Sequence, residues 1–184
     1  MNKPNEIRSF IPLRIAVMTV SDTRKLDDDK SGDTLIKRLE SAGHKLADRA
    51  IIQDDVNAIR AYIQGWIARP EIDVILTTGG TGFTGRDVTP EAIEPLFDKK
   101  MDGFIAVFHA ISYEKIGTST LQSRATAGLA GANSGTPTFI FCLPGSPTAC
   151  TDAWDGILAM QLDNRHKPCN FVEIMPRLNE HFKA

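Results

Sequence analysis

Short apolar runs that alternate with amphipathic stretches constrain this chain more than any other feature. Residues 14–20 read Arg-Ile-Ala-Val-Met-Thr-Val. Such a nearly continuous apolar run, rich in β-branched residues, is the pattern of a strand covered on both faces, as in a parallel sheet. Residues 46–52 and 73–77 offer two further strands. Between the first two lies a helical stretch from about 31 to 43, with Leu35, Ile36 and Leu39 on one face and Gly43 placed to end it. Between the second and third, Asp54 or Asp55 caps a helix whose Val56, Ile59, Ile63 and Ile67 share a face. Strand, helix, strand, helix, strand predicts a parallel sheet with right-handed crossovers.

The second half is less regular. Thr89-Pro90-Glu91 reads as a helix start, with Thr89 as N-cap, Pro90 in the first turn and Glu91 complementing the dipole. A helix follows over about 102–115, with Phe104, Val107, Phe108 and Ile111 expected to face inward. Residues 121–130 are ambiguous. The turn cluster Gly131, Asn133, Ser134 and Gly135 then precedes an apolar strand at 138–143, and the two segments read as a hairpin-like pair. Ser146 and Pro147 open a last helix that runs to about 162. The expected fold is α/β in three layers: a mostly parallel sheet, helices on both faces, and a short antiparallel hairpin or edge. The expected organisation is a flexible arm over 1–10, one domain over 11–175 and a tail over 176–184.

Composition removes several function classes. A length of 184 residues with 42% hydrophobic and 24% charged residues suits one globular domain with one buried core. A net charge of −2 does not call for a strongly basic face for nucleic acid, though it leaves room for a local basic patch. No run approaches the ~18 apolar residues of a membrane span, and the charged N-terminus lacks an apolar signal core. The 3 cysteines, Cys142, Cys150 and Cys169, form no C-x-x-C pair and suggest neither a disulfide framework nor zinc. A cytoplasmic protein with reduced thiols is expected.

In an open α/β sheet, ligands bind beyond the carboxyl ends of the strands. Here those ends carry Ser21-Asp22-Thr23, Gln53-Asp54-Asp55, the loop from Gly79 to Asp87, and Pro144-Gly145-Ser146-Pro147. The third loop reads Thr77-Thr78-Gly79-Gly80-Thr81-Gly82-Phe83-Thr84-Gly85-Arg86-Asp87. Its glycines let backbone N–H groups converge on an anion, and Thr78 and Thr81 add hydroxyl donors. Gly80, Gly82 and Gly85 match the spacing of a dinucleotide fingerprint. That fingerprint, however, belongs after the first strand and runs straight into a helix. Here it follows the third strand, and the acidic residues about 20 positions on, Asp98 and Asp102, fall on predicted helices. A Walker A loop fails too, for want of a Gly-Lys-Ser/Thr triplet. Asp87 at the end of the glycine loop and Asp54 after the second strand would repel a phosphate. A Mg²⁺ ion bridging carboxylate and phosphate oxygens resolves that conflict.

Thr77-Thr78-Gly79-Gly80-Thr81-Gly82, followed by Arg86-Asp87-Val88-Thr89-Pro90-Glu91-Ala92, resembles the signature of the MoaB/MogA family of molybdenum cofactor biosynthesis proteins. Related domains occur in plants and animals fused to other modules. Thr19-Val20-Ser21-Asp22, Leu121-Gln122-Ser123-Arg124 and Leu143-Pro144-Gly145-Ser146 match as well, so the resemblance runs from about residue 11 to 171. Phe10-Ile11-Pro12-Leu13-Arg14, Ile116-Gly117-Thr118-Ser119-Thr120 and Arg165-His166-Lys167-Pro168-Cys169 resemble the MoaB branch.

The resemblance implies adenylation of molybdopterin with Mg²⁺ and ATP. The pterin's terminal phosphate attacks the α-phosphorus, pyrophosphate leaves, and the product goes to a molybdenum insertase. It implies Asp54 and Asp87 as the catalytic and Mg²⁺-binding carboxylates. Ser21, Asp22, Thr78, Gly79, Gly80, Thr81, Gly82, Ser123, Arg124, Pro144, Gly145 and Ser146 would line the substrate pocket. It also implies a homo-oligomer, trimeric or hexameric. Some MoaB-branch members lack the acidic pair, which this chain keeps. Two other classes compete: a non-catalytic protein that binds molybdopterin and hands it over, and an NAD(P)-dependent oxidoreductase.

Overall fold

The computed structural model describes residues 8–182. The arm expected over 1–10 lies outside the described residues as far as position 7, and the tail does so beyond 182. Six strands form one sheet in the order β2-β1-β3-β6-β5-β4. They are β1 (Arg14–Val20), β2 (Lys45–Ile52), β3 (Val74–Thr78), β4 (Phe97–Lys100), β5 (Thr126–Ala130) and β6 (Thr138–Leu143). β1, β2, β3 and β6 are parallel neighbours; β5 runs against both β6 and β4.

Alternation along the strands builds the three layers, since successive side chains point to opposite faces. Ile15 and Val17 of β1 pack with Leu35 and Leu39 of α1 (Lys30–Ser41) and Phe104 and Phe108 of α4 (Asp102–Ile116). Trp154 and Leu158 join them from a rod that begins as α5 (Pro147–Ala153), passes through a π turn at Trp154–Leu158 and ends as α6 (Ala159–Gln161). Ala16 and Met18 face the other way. They meet Ile59, Ile63 and Trp66 of α2 (Val56–Ile67) and Ile93 of α3 (Thr89–Ile93). Each fully buried aliphatic side chain contributes roughly 1.5–3 kcal/mol, so both faces of β1 hold the sheet between helices. Leu178, near the end of the described chain, packs on the first of these layers.

Several local expectations are corrected. α1 starts at Lys30, one residue early, because Asp29 caps it by accepting from the Gly32 amide. Asp55 caps α2 through the Ala58 amide at 2.8 Å, which leaves the Asp54 carboxylate free of that task. Thr89 is not the cap of α3 but its first residue, and its hydroxyl reaches back to the Gly79 carbonyl at 2.8 Å. Val107 is 49% exposed, so the outer face of α4 is apolar too. Asp98 lies on β4, an edge strand, and not on a helix. Its carboxylate binds the Ala132 amide and the Asn133 side chain and so shapes the turn between β5 and β6. The polar stretch 24–29 is a loop, yet Asp29 at its end is fully buried.

Candidate functional site

Register brings the strand ends to one rim. Val20 pairs with Ile52, Thr19 with Thr78, and Thr78 with Leu143. Because β5 is antiparallel, its first residue, Thr126, pairs with Cys142 of β6 and brings Ser123 and Arg124 to the same rim. From β1 the chain crosses to β2 on one side, and β3 lies on the other. The crevice between the carboxyl ends of β1 and β3 is therefore the switch point where such sheets bind ligands.

The glycine loop is held there by backbone crowding. Gly79 has φ +102°, and a Cβ on it would lie 2.2 Å from the Val20 carbonyl oxygen. Gly80 has φ +63°, and a Cβ there would lie 2.4 Å from Thr89 Oγ1 and 2.9 Å from Asp54 Oδ1. Only glycine meets both conditions. The Gly79 amide donates to the Leu143 carbonyl at 3.0 Å, while the amides of Gly80 and Thr81 have no partner among the described residues. Farther along, Asp87 closes the loop on itself. Its Oδ2 accepts from the Thr84 amide at 2.9 Å and the Thr84 hydroxyl at 2.6 Å. The anion nest is thus divided: Asp87 supplies the anion for one half, and Gly80 and Thr81 offer the open donors.

The two expected carboxylates flank this loop and are shifted in opposite directions. Burial pushes the Asp54 carboxyl above its ordinary value, and the negative charges of Asp22 and Asp87 add to that against the opposing Arg86. Burial also acts on Asp87, but the hydroxyl and amide of Thr84 and the Gly82 amide outweigh it and hold Asp87 below its ordinary value. Asp22 is lowered by its bond to Arg86. Asp22 Oδ1 also accepts the Asp54 amide at 3.2 Å, which ties the loops after β1 and β2 together.

Other expected residues reach the rim in supporting positions. Thr78 is buried, and its hydroxyl donates to the Pro144 carbonyl at 2.9 Å, so it fastens β3 to the loop after β6 and does not face the crevice as a free donor. Arg124 is turned onto the glycine loop. Its amide donates to Thr81, its Nε to Gly82 at 2.7 Å and its Nη2 to the Asp87 carbonyl at 2.8 Å, and it pairs with Glu91. Its guanidinium also sits 5.3 Å from the ring centre of Phe83, an exposed aromatic at the loop tip. Ser21 Oγ accepts the amides of Thr23 and Arg24, Ser123 Oγ accepts the Ala125 amide, and Ser146 Oγ caps α5. Gly145 approaches Gly79 so closely that a Cβ on it would lie 3.2 Å from the Gly79 Cα.

A model of a family described as probable molybdopterin binding domain matches residues 16–164. Molybdenum cofactor biosynthesis protein B of Escherichia coli (strain K12) is 51% identical over 162 residues, covering 88% of this chain and 92% of that protein. The chain belongs to the MoaB branch of this family. Solved structures agree. One of a molybdenum cofactor biosynthesis protein B superposes with a TM-score of 0.82 at 34% identity, covering 94% of this chain and 99% of that one. The tungsten cofactor synthesizing protein MoaB from Pyrococcus furiosus gives 0.71 at 33% identity, over 91% and 98%.

In this MoaB-family chain the carboxylates suit a cation that arrives with phosphate better than a resident one. Among the described residues no group of three or more His, Cys, Asp or Glu is arranged to hold a metal. Mg²⁺ needs only one or two carboxylates when phosphates and water complete its octahedron. Asp54 and the second oxygen of Asp87 are the carboxylates that could serve such an ion.

A buried ionic network beneath the rim escaped the sequence reading. Asp29 accepts from the Thr19 hydroxyl at 2.8 Å, the Gly32 amide at 3.0 Å and Arg49 at 2.9 Å. Burial raises its carboxyl, but these partners bring the balance below the ordinary value. Arg24 hydrogen-bonds Ser31 and reaches the Gly145 carbonyl at 3.0 Å, linking this network to the rim. An aspartate three residues before Gly32 was the available signal, as a helix cap. A separate apolar cavity of about 400 Å³, lined by Met101, Phe104, Val107, Ile157, Met160 and Phe171 among others, shares no residue with the rim loops.

Proposed function

We propose that this protein binds molybdopterin in molybdenum cofactor biosynthesis and adenylates its terminal phosphate with Mg²⁺ and ATP, releasing pyrophosphate. The observation that carries the reading is the bracketing of one glycine loop by two carboxylates. Asp54 Oδ1 lies 2.9 Å from the point where a Gly80 Cβ would be, and Asp87 Oδ2 lies 2.7 Å from the same point on Gly82. Family membership and the relatives' names support the pathway.

The chemistry asks for positioning and charge control more than for covalent catalysis. An oxygen of the pterin phosphate forms a bond to the α-phosphorus, the bond to the bridging oxygen of the β-phosphate breaks, and pyrophosphate carries away that electron pair. Bound Mg²⁺ would neutralise phosphate charge. The Gly80 and Thr81 amides donate to phosphate oxygens. Arg124 fixes the loop from beneath by three of its backbone carbonyls, at Thr81, Gly82 and Asp87. Asp87, held anionic by Thr84, and Asp54 would hold the cation. No general base is required, because the attacking phosphate is already ionised.

The hand-over reading draws on one observation, that Asp87 itself occupies two of the loop's donors, the amide and hydroxyl of Thr84. Pyrophosphate release separates the two. Purified protein with Mg²⁺, ATP and molybdopterin releases it under the adenylation reading; equal pterin affinity with and without Mg²⁺ and no release would favour hand-over. A molybdenum insertase is the expected recipient and the cytoplasm the expected compartment. No helix among the described residues is long and apolar enough to cross a membrane. A trimer or hexamer would cover the exposed Val107, Tyr113 and Ile116 of α4, and mass measurement in solution tests that.

A further inference from the structure

Arg86 has no part in the mechanism above, yet it makes a bidentate contact across the crevice. From the glycine loop after β3 it grips Asp22 on the loop after β1, with Nε to Oδ2 at 2.8 Å and Nη2 to Oδ1 at 2.7 Å. This is the fork-on-fork geometry that makes arginine–carboxylate pairs specific. The same Asp22 oxygen accepts the Asp54 amide. One bidentate pair therefore spans the switch point and is one residue removed from Asp54. The Arg86 side chain is 65% exposed, so the pair adds little to folding stability. Of the groups acting on the Asp54 carboxyl, Asp22 and Asp87 are negative and Arg86 is positive.

We propose that Arg86 is a positioning residue that competes with the divalent cation for the rim carboxylates and yields when phosphate arrives. The inference rests on the Mg²⁺–ATP reading of the site. Alone, a cation must approach Asp54 and Asp87 against the fixed positive charge of Arg86. A triphosphate entering at the Gly80 and Thr81 amides offers the guanidinium a second anion of matching geometry. Arg86 then turns from Asp22 to phosphate, and the cation meets the carboxylates without that opposition. Cation and nucleotide binding become coupled, so the metal is held mainly together with its substrate.

The test is Mn²⁺ binding to the full chain, followed by electron paramagnetic resonance without nucleotide. Arg86→Gln is expected to bind Mn²⁺ about five- to tenfold more tightly than the parent. That is the size expected from removing one unit charge a few ångströms from a divalent ion at near-water dielectric. Arg86→Lys keeps the charge and is expected to stay within about twofold of the parent. Thermal unfolding of both variants is expected to match the parent. Unchanged or weaker Mn²⁺ binding by Arg86→Gln overturns the inference, as does equal tightening in Arg86→Lys. Pyrophosphate release by the parent keeps the two claims separate: release with no change in Arg86→Gln defeats this inference alone. Tightening without release defeats the adenylation reading alone.

Discussion

Arg124→Met removes the buttress of the glycine loop while keeping a side chain of similar length. The arginine makes two charge-assisted side-chain bonds to loop carbonyls, at 2.7 Å to Gly82 and 2.8 Å to Asp87. Hydrogen bonds involving a charged group are worth about 1.5–3 kcal/mol each, so the pair contributes roughly 3 kcal/mol at the low end. The side chain is 25% exposed, and water re-solvates the freed carbonyls, which brings the expected loss to about 2 kcal/mol. In a domain of this size that lowers Tm by roughly 4–8 °C. The loss is local in origin, so hydrogen exchange at Gly82, Phe83 and Thr84 quickens more than in β1 or β3. Weaker nucleotide binding accompanies it, because the Gly80 and Thr81 amides lose their fixed orientation. Calorimetry and exchange on the same samples check this. A Tm within about 1 °C of the parent, with loop exchange unchanged, would falsify the view that Arg124 holds the loop.

Other perturbations act on neighbouring parts of the account. Asp87→Asn is expected to cut turnover by roughly 10²-fold or more, the scale of losing one preorganised electrostatic group, while pterin binding survives in equilibrium titration; lost binding would make Asp87 structural. Asp29→Ala strands the partly buried Arg49 and is expected to cost about 3 kcal/mol in denaturant unfolding, with no loss showing that the network is dispensable. His44 is buried, its Nδ1 accepts the Leu13 amide, and burial lowers its pKa to about 4 in spite of nearby Asp163. The unfolded chain therefore takes up a proton that the folded one refuses. Stability falls as pH drops from about 6.5 towards 4, by up to about 1.4 kcal/mol per pH unit. His44→Gln flattens that slope relative to the parent, and identical slopes would assign it to other groups.

What the sequence reveals depends on how local the cause is. β1, β3 and β6 are legible because strands covered on both faces must be nearly all apolar, and β2, an edge strand of mixed composition, follows from its place between α1 and α2. β4 is invisible for the opposite reason. Phe97-Asp98-Lys99-Lys100 is a charged edge, and its pairing is decided by β5. Gly79 to Asp87 is legible as a phosphate loop because glycine at positive φ and close backbone approach leave a local mark. Its internal division is not, since that requires Asp87 to fold back on Thr84. The Asp22–Arg86 pair joins residues 64 positions apart, and the Arg24 contact to Gly145 joins residues 121 apart. Such contacts exist only once the rim has assembled. Thr78 and Arg124 show the same limit: loop position and family resemblance put a hydroxyl and a guanidinium near the ligand, and only the geometry tells that both are turned onto the protein.

The central claim is transfer of an adenylyl group at the Asp54–Asp87 rim. ATP labelled at the α-phosphorus, incubated with Mg²⁺, molybdopterin and enzyme in single-turnover amounts, tests it most directly. The account predicts label in the pterin product, one pyrophosphate per labelled molecule, and neither when Asp54 and Asp87 are both replaced by alanine. Molybdopterin bound to the parent protein with the label still wholly in ATP would contradict it.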